Sequence, residues 1–62
     1  MSFTEWKKRV DFILEGNIGL DTEALVDIDL NHMYNTGRTP IEAAKTIVYA
    51  EWGESAPNLK EI

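Results

Sequence analysis

The chain has 62 residues, with 11 Asp and Glu against 6 Lys and Arg for a formal net charge of -5, and it contains no cysteine. That length makes one small domain, which buries only ~60% of the surface its unfolded form exposes, so a partner or a second copy is a natural source of added stability. The composition excludes a disulfide framework, a thiolate nucleophile and a cysteine-based zinc site; no apolar run has secretory length or approaches the ~20 residues that span a bilayer, so a soluble, cytoplasmic protein is expected.

The first helix is expected over about 3–15. Ser2-Phe3-Thr4-Glu5 offers a capping box at its start, and Gly16 suits the left-handed position just past its end. Phe3, Trp6, Val10, Ile13 and Leu14 fall within an arc of about 100°, the stripe of an amphipathic helix against a core. Phe12 falls on the opposite side, among Glu5, Lys8 and Arg9. It is therefore exposed, covered by the C-terminal tail, or buried in a partner.

Gly16-Asn17-Ile18-Gly19-Leu20 reads as a loop. Asp21 is a good N-cap for a second helix over about 22–35, with Leu20 and Leu25 placed as a hydrophobic staple. Val26-Asp27-Ile28-Asp29-Leu30-Asn31 also alternates with the period of a strand. The length of the segment, the Gly37 punctuation and the lack of a second strand to pair with select the helix.

Thr39-Pro40-Ile41-Glu42 carries the clearest signal in the chain. Thr39 and Glu42 form a capping box, and Pro40 takes the first helical position, which needs no donor. The third helix runs over 40–52, with Ile41, Ala44, Ile47, Val48 and Trp52 on its core side and Ala43 and Ala50 as a second strip of small residues; Gly53 ends it. The tail, 53–62, is interrupted by Pro57, and Leu59 and Ile62 are available to fold back onto Phe12. The expected fold is all-α: a single domain over 1–62, a small three-helix bundle with a short irregular C-terminal tail.

Sites of chemistry are sparse. Asp27-Ile28-Asp29-Leu30-Asn31 matches the opening of a calcium-binding loop, but His32 replaces the required glycine and Arg38 stands where the bidentate glutamate belongs. No metal or cofactor is expected. In a helical frame Asp29 lies between Leu25 and Met33, half buried and tied to Arg9, Arg38, a Trp indole N–H or a helix N-terminus. His32 is the one histidine. Asp29, Tyr34 and Thr36 could assist it, yet none has the spacing of a known mechanism, and so short a chain offers little concave surface from which to exclude water. The chain is read as a non-enzyme with no catalytic residue.

Every charged residue between Val10 and Gly37 is acidic: Asp11, Glu15, Asp21, Glu23, Asp27 and Asp29. Such a stretch repels phosphates, so direct nucleic-acid binding is not expected. A helix-turn-helix reader shares the three-helix outline, but its recognition helix would be 40–52, which offers Glu42 and Glu51 against Lys45. An interaction surface is expected instead, with Phe12 and Tyr49 as exposed aromatic anchors and Asp11, Glu15 and Asp27 as its acids.

The order Trp6, Val10-Asp11, Leu14, Leu25, Asp29, Tyr34, Gly37, Thr39-Pro40, Glu42-Ala43-Ala44 resembles short three-helix proteins of unknown function encoded by tailed bacteriophages and bacteria. The spacing W-x-x-x-V-D and the run Y-x-x-G-x-T-P-x-E-A-A carry the likeness, which covers about two thirds of the chain. It implies a three-helix fold and a phage accessory role, and it brings no catalytic residues. The functional expectation is a small acidic protein-interaction module, encoded by a phage or mobile element, that binds and modulates a basic or nucleic-acid-binding host protein. The alternative is a self-assembling structural or accessory domain, a homo-oligomer with no host target.

Overall fold

Ser2 starts the first helix, α1 (Phe3–Ile18): its hydroxyl oxygen accepts from the Glu5 N–H at 3.2 Å, and its hydroxyl donates to the Glu5 carboxylate at 3.1 Å. The structure, a computed structural model, describes residues 1–25 and 29–60. α1 runs through Gly16 and stops at Gly19, whose φ of 73° places it in the left-handed region and whose N–H donates to the Glu15 carbonyl. The end expected at Gly16 is thus one turn too early. Ile18 packs against the core, and Asn17 donates to both the Ile13 and the Lys60 carbonyls at 2.8 Å, which holds the last turn in place.

The helix expected over 22–35 is shorter. Asp21 caps a turn that does not propagate, its Oδ1 accepting from the N–H groups of Glu23 and Ala24 at 3.0 Å each. The second helix, α2 (Leu30–Asn35), starts eight residues later under its own cap, Asp29, whose φ of -94° and ψ of 79° are not helical and whose carboxylate accepts from the His32 N–H at 3.0 Å. Two aspartate caps in one segment cannot belong to one continuous helix. The alternation over 26–31 falls largely on Val26, Asp27 and Ile28, outside the described residues.

α2 closes in a Schellman arrangement: the Gly37 N–H donates to the Tyr34 carbonyl and the Arg38 N–H to the Met33 carbonyl, at 3.1 Å each, with Gly37 at φ 82°. The third helix, α3 (Pro40–Trp52), begins two residues on with both halves of its capping box formed. The Glu42 N–H reaches Thr39 Oγ1 at 3.3 Å, and the Thr39 N–H reaches the Glu42 carboxylate at 2.9 Å. After Gly53 the chain makes a 3-10 turn, Gly53–Ser55, and continues as an irregular tail.

Trp6, Val10, Ile13 and Leu14 of α1, Leu25, Met33 of α2 and Ala43, Ala44, Ile47 and Val48 of α3 form the core. The fully buried alanines let α1 lie close on α3. Trp52 was expected in this core but is 39% exposed. It sits at the edge of the buried stripe, about 40° round α3 from Val48 and about 110° from the stripe's centre, and Ala56 and Leu59 of the tail are the apolar groups that pack on the core beyond that helix. Ala50, paired with Ala43 in the sequence reading, is exposed as well.

Trp6 ties the start of α1 to the end of α2 and the turn before α3. Its indole N–H donates to the Arg38 carbonyl at 2.8 Å, while its ring meets Tyr34 edge-on at 5.6 Å and Phe3 at 6.0 Å. Tyr34 in turn donates from its hydroxyl to the Met1 carbonyl at 2.7 Å. Among the described residues every buried side-chain nitrogen and oxygen has a hydrogen-bond partner, as a well-formed core requires. The Lys60 N–H donates to Asn17 Oδ1 at 3.0 Å, docking the tail on the end of α1. Leu59 packs on the core, Phe12 is half exposed, which is the first of the alternatives raised for it, and Ile62 lies outside the described residues. No helix among the described residues is long and apolar enough to cross a membrane.

Gly16 is an exposed glycine inside a helix, which costs backbone entropy with no compensating left-handed turn. Gly16→Ala is expected to stabilise the fold by about 0.5–1 kcal/mol, read as a higher denaturant midpoint at unchanged helicity.

Candidate functional site

Asp11 organises the acidic region. It stands on the flank of α1, where its Oδ1 accepts from the Thr22 N–H at 2.8 Å and from the Thr22 hydroxyl at 2.6 Å, and its Oδ2 faces the Lys7 ammonium at 3.2 Å. Thr22 is 7% exposed, the buried polar residue among those described. Burial pushes the Asp11 carboxyl up, but the hydrogen bonds from Thr22 and Lys7 together outweigh it, and the net shift is below the ordinary carboxylate value. Asp11 was expected on an outward-facing contact surface. Its oxygens are engaged within the fold, where a threonine eleven residues away supplies two donors that water would otherwise supply.

That contact folds the connection after α1 back along the helix. Glu15 lies one turn beyond Asp11 on α1, and Asp21 and Glu23 flank Thr22, so three further carboxylates gather around the tie. Glu15 and Glu23 are exposed, while Asp21 is half-buried and engaged as the cap of its own turn. Asp29 is exposed rather than half-buried, and of its foreseen partners it takes the helix N-terminus. Asp27 lies outside the described residues.

The two aromatic anchors do not share a surface. Phe12 is 49% exposed and Tyr49 62%. Each lies roughly 150–170° from the centre of its own helix's buried stripe, and α1 and α3 pack on one another through those stripes. The rings therefore leave the molecule on different sides. Phe12 keeps company with Glu15 at i+3 and carries the Arg9 guanidinium over its ring at 5.4 Å, a cation–π contact. Tyr49 stands one turn from Trp52, an exposed aromatic that sequence reasoning placed in the core. Its position at the edge of the α3 stripe was the available signal.

Two open grooves mark the surface. One, of about 230 Å³, runs between α2 and α3 over Met33, Ile47 and Ala50, with His32 and Asp29 on one rim and Arg38 on the other. Arg38 donates to the Thr46 hydroxyl at 3.2 Å. The second, of about 300 Å³, lies between α3 and the tail and is lined by Val48, Tyr49 and Leu59 among others. The groups that could assist His32 are engaged elsewhere: Asp29 caps through the His32 backbone, Thr36 donates from its hydroxyl to the His32 carbonyl at 2.9 Å, and Tyr34 binds Met1. Among the described residues no three His, Asp or Glu side chains are grouped as metal ligands. No protein-family model matches the chain, and neither the curated proteins nor the solved structures include a match.

Because the Asp11 carboxyl is lowered in the folded state, the unfolded chain binds the additional proton as pH falls, and stability declines with it. The Asp11 contribution is complete above the ordinary carboxylate value of about 4 and is lost as pH falls below it, through the folded-state value. The Glu42 carboxyl, held low first by the Thr39 backbone N–H and then by its hydroxyl, acts in the same direction. Denaturant midpoints measured from neutral pH into the acid range should fall for the native protein, and Asp11→Asn should flatten part of that fall.

Proposed function

We propose that the protein is a small acidic protein-interaction module, a phage or mobile-element accessory factor that acts in the host cytoplasm by binding and modulating a basic host protein. The observation that carries this reading is the corner built on the Asp11–Thr22 tie, with exposed Glu15 one turn along α1 from Asp11, exposed Glu23 next to Thr22, and the half-exposed Phe12 following Asp11 on α1. Carboxylates that project into water draw a cationic partner along the field and select against acidic ones, and a partly exposed aromatic supplies apolar contact at the centre. A nucleic-acid-binding protein presents a complementary surface, dense in Lys and Arg, and occupying it would displace nucleic acid. The phage setting enters with the motif spacing from Trp6 to Ala44.

Capture from a bacterial lysate on the immobilised domain, followed by binding of the purified partner, tests this reading. A basic protein should be retained at low salt, should weaken by about tenfold or more on raising ionic strength, and should be lost to Glu15→Lys with Glu23→Lys and to Phe12→Asp. Affinity that is the same at low and high salt, or the same for the charge-reversed variant, contradicts the proposal.

A further inference from the structure

Away from the core, α1 exposes Glu5, Lys8, Phe12, Glu15 and Gly16. Their placement has an internal symmetry. Lys8 and Glu15 lie about 20° apart round the helix, one turn before and one turn after Phe12, on one flank of the ring. Arg9 and Gly16 lie about 20° apart on the other flank, again one turn before and after.

We propose that this face binds the same face of a second copy, with the two α1 helices antiparallel about a twofold axis at Phe12. Such an axis sets each residue against the one on the same flank at equal distance on the far side of Phe12. Phe12 then meets Phe12, Lys8 meets Glu15 twice over, and Arg9 meets Gly16 twice over. Both charge pairs are of opposite sign, and the contact is isologous, so it closes at two copies. A parallel pairing exchanges the two flanks and would put Lys8 on Arg9, like charges that oppose it, and leave Glu15 on Gly16 with no partner.

Gly16 gains a reason in this arrangement. A glycine in an exposed helix interior weakens the helix, yet here it leaves the flat place that the opposing Arg9 side chain needs. Arg9 is already laid over its own Phe12 ring at 5.4 Å, on that flank. One helix face buries less than the standard interface of about 1,600 Å², so the pairing is weak and reversible, with a dissociation constant on the order of 0.1–1 mM. This inference shares Phe12 and Glu15 with the basic partner's corner but differs from it in needing Lys8, which that partner would avoid, and in not using Glu23.

Sedimentation equilibrium from about 20 µM to about 2 mM tests the pairing, with circular dichroism to confirm that each variant is folded. The native protein should approach twice its monomer mass at the upper end. Lys8→Glu and Glu15→Lys should each weaken association by about tenfold, because each turns two attractive contacts repulsive, and the double exchange should return it to within about threefold of the native value. A native protein that stays monomeric throughout, or a double variant as weak as the singles, overturns the proposal. With no native cysteine to interfere, a nitroxide on Thr4→Cys gives a second readout. Mixed with unlabelled, isotope-enriched protein, it should broaden the amides of Gly19 and Leu20, and broadening centred on residues 3–8 instead would overturn the antiparallel arrangement.

Discussion

The carboxylate of Asp11, accepting both the N–H and the hydroxyl of Thr22, decides the layout of everything between α1 and α2. Without it the chain from Leu20 to Leu25 has one capped turn and a single buried apolar side chain to hold it. With it, a buried threonine is satisfied, the turn lies along α1, and Leu25 reaches the core. The contact links local chemistry to long-range order: a charge-assisted pair of hydrogen bonds replaces two that water would make, and the return is the placement of a whole connection.

The same contact separates the acids by role. Asp11, Asp21, Asp29 and Glu42 all accept hydrogen bonds from nearby backbone N–H groups, so their charge is used to close turns and start helices. Glu15 and Glu23 remain exposed beside them. A formal charge of -5 therefore overstates the acidity offered to a partner. The proposed recognition surface rests on the exposed carboxylates without a structural task, together with Phe12. Glu15 and Phe12 belong both to the proposed corner and to the proposed self-complementary face of α1, so on these proposals pairing of two copies and binding of a basic protein would draw on the same two side chains and compete for them.

Elements whose signals are local were legible in the sequence. Thr39 to Glu42 starts α3 as its capping box and proline require, Ser2 starts α1, and the stripe Trp6, Val10, Ile13, Leu14 is the buried one. The failures share a cause. Gly16 and Gly19 are both plausible helix ends, and Asp21 and Asp29 both plausible caps; the choice between them is made by Asn17 reaching Lys60 and by Thr22 reaching Asp11, contacts between residues distant in the chain. That Thr22 engages Asp11 was not legible for the same reason. Phe12 and Tyr49 were each rightly read as outward, but whether two outward residues share a side depends on how α1 and α3 face one another, which periodicity within either helix does not contain.

The most direct measurement is a double-mutant cycle on Asp11→Ala and Thr22→Val, with stability read by denaturant unfolding at neutral pH and low salt. If the tie holds the connection, the two substitutions are coupled by about 1–2 kcal/mol, and the double variant is little worse than Asp11→Ala alone. Costs that simply add, to within about 0.3 kcal/mol, would mean that Thr22 is held by something other than Asp11 and that the acidic corner has no such foundation.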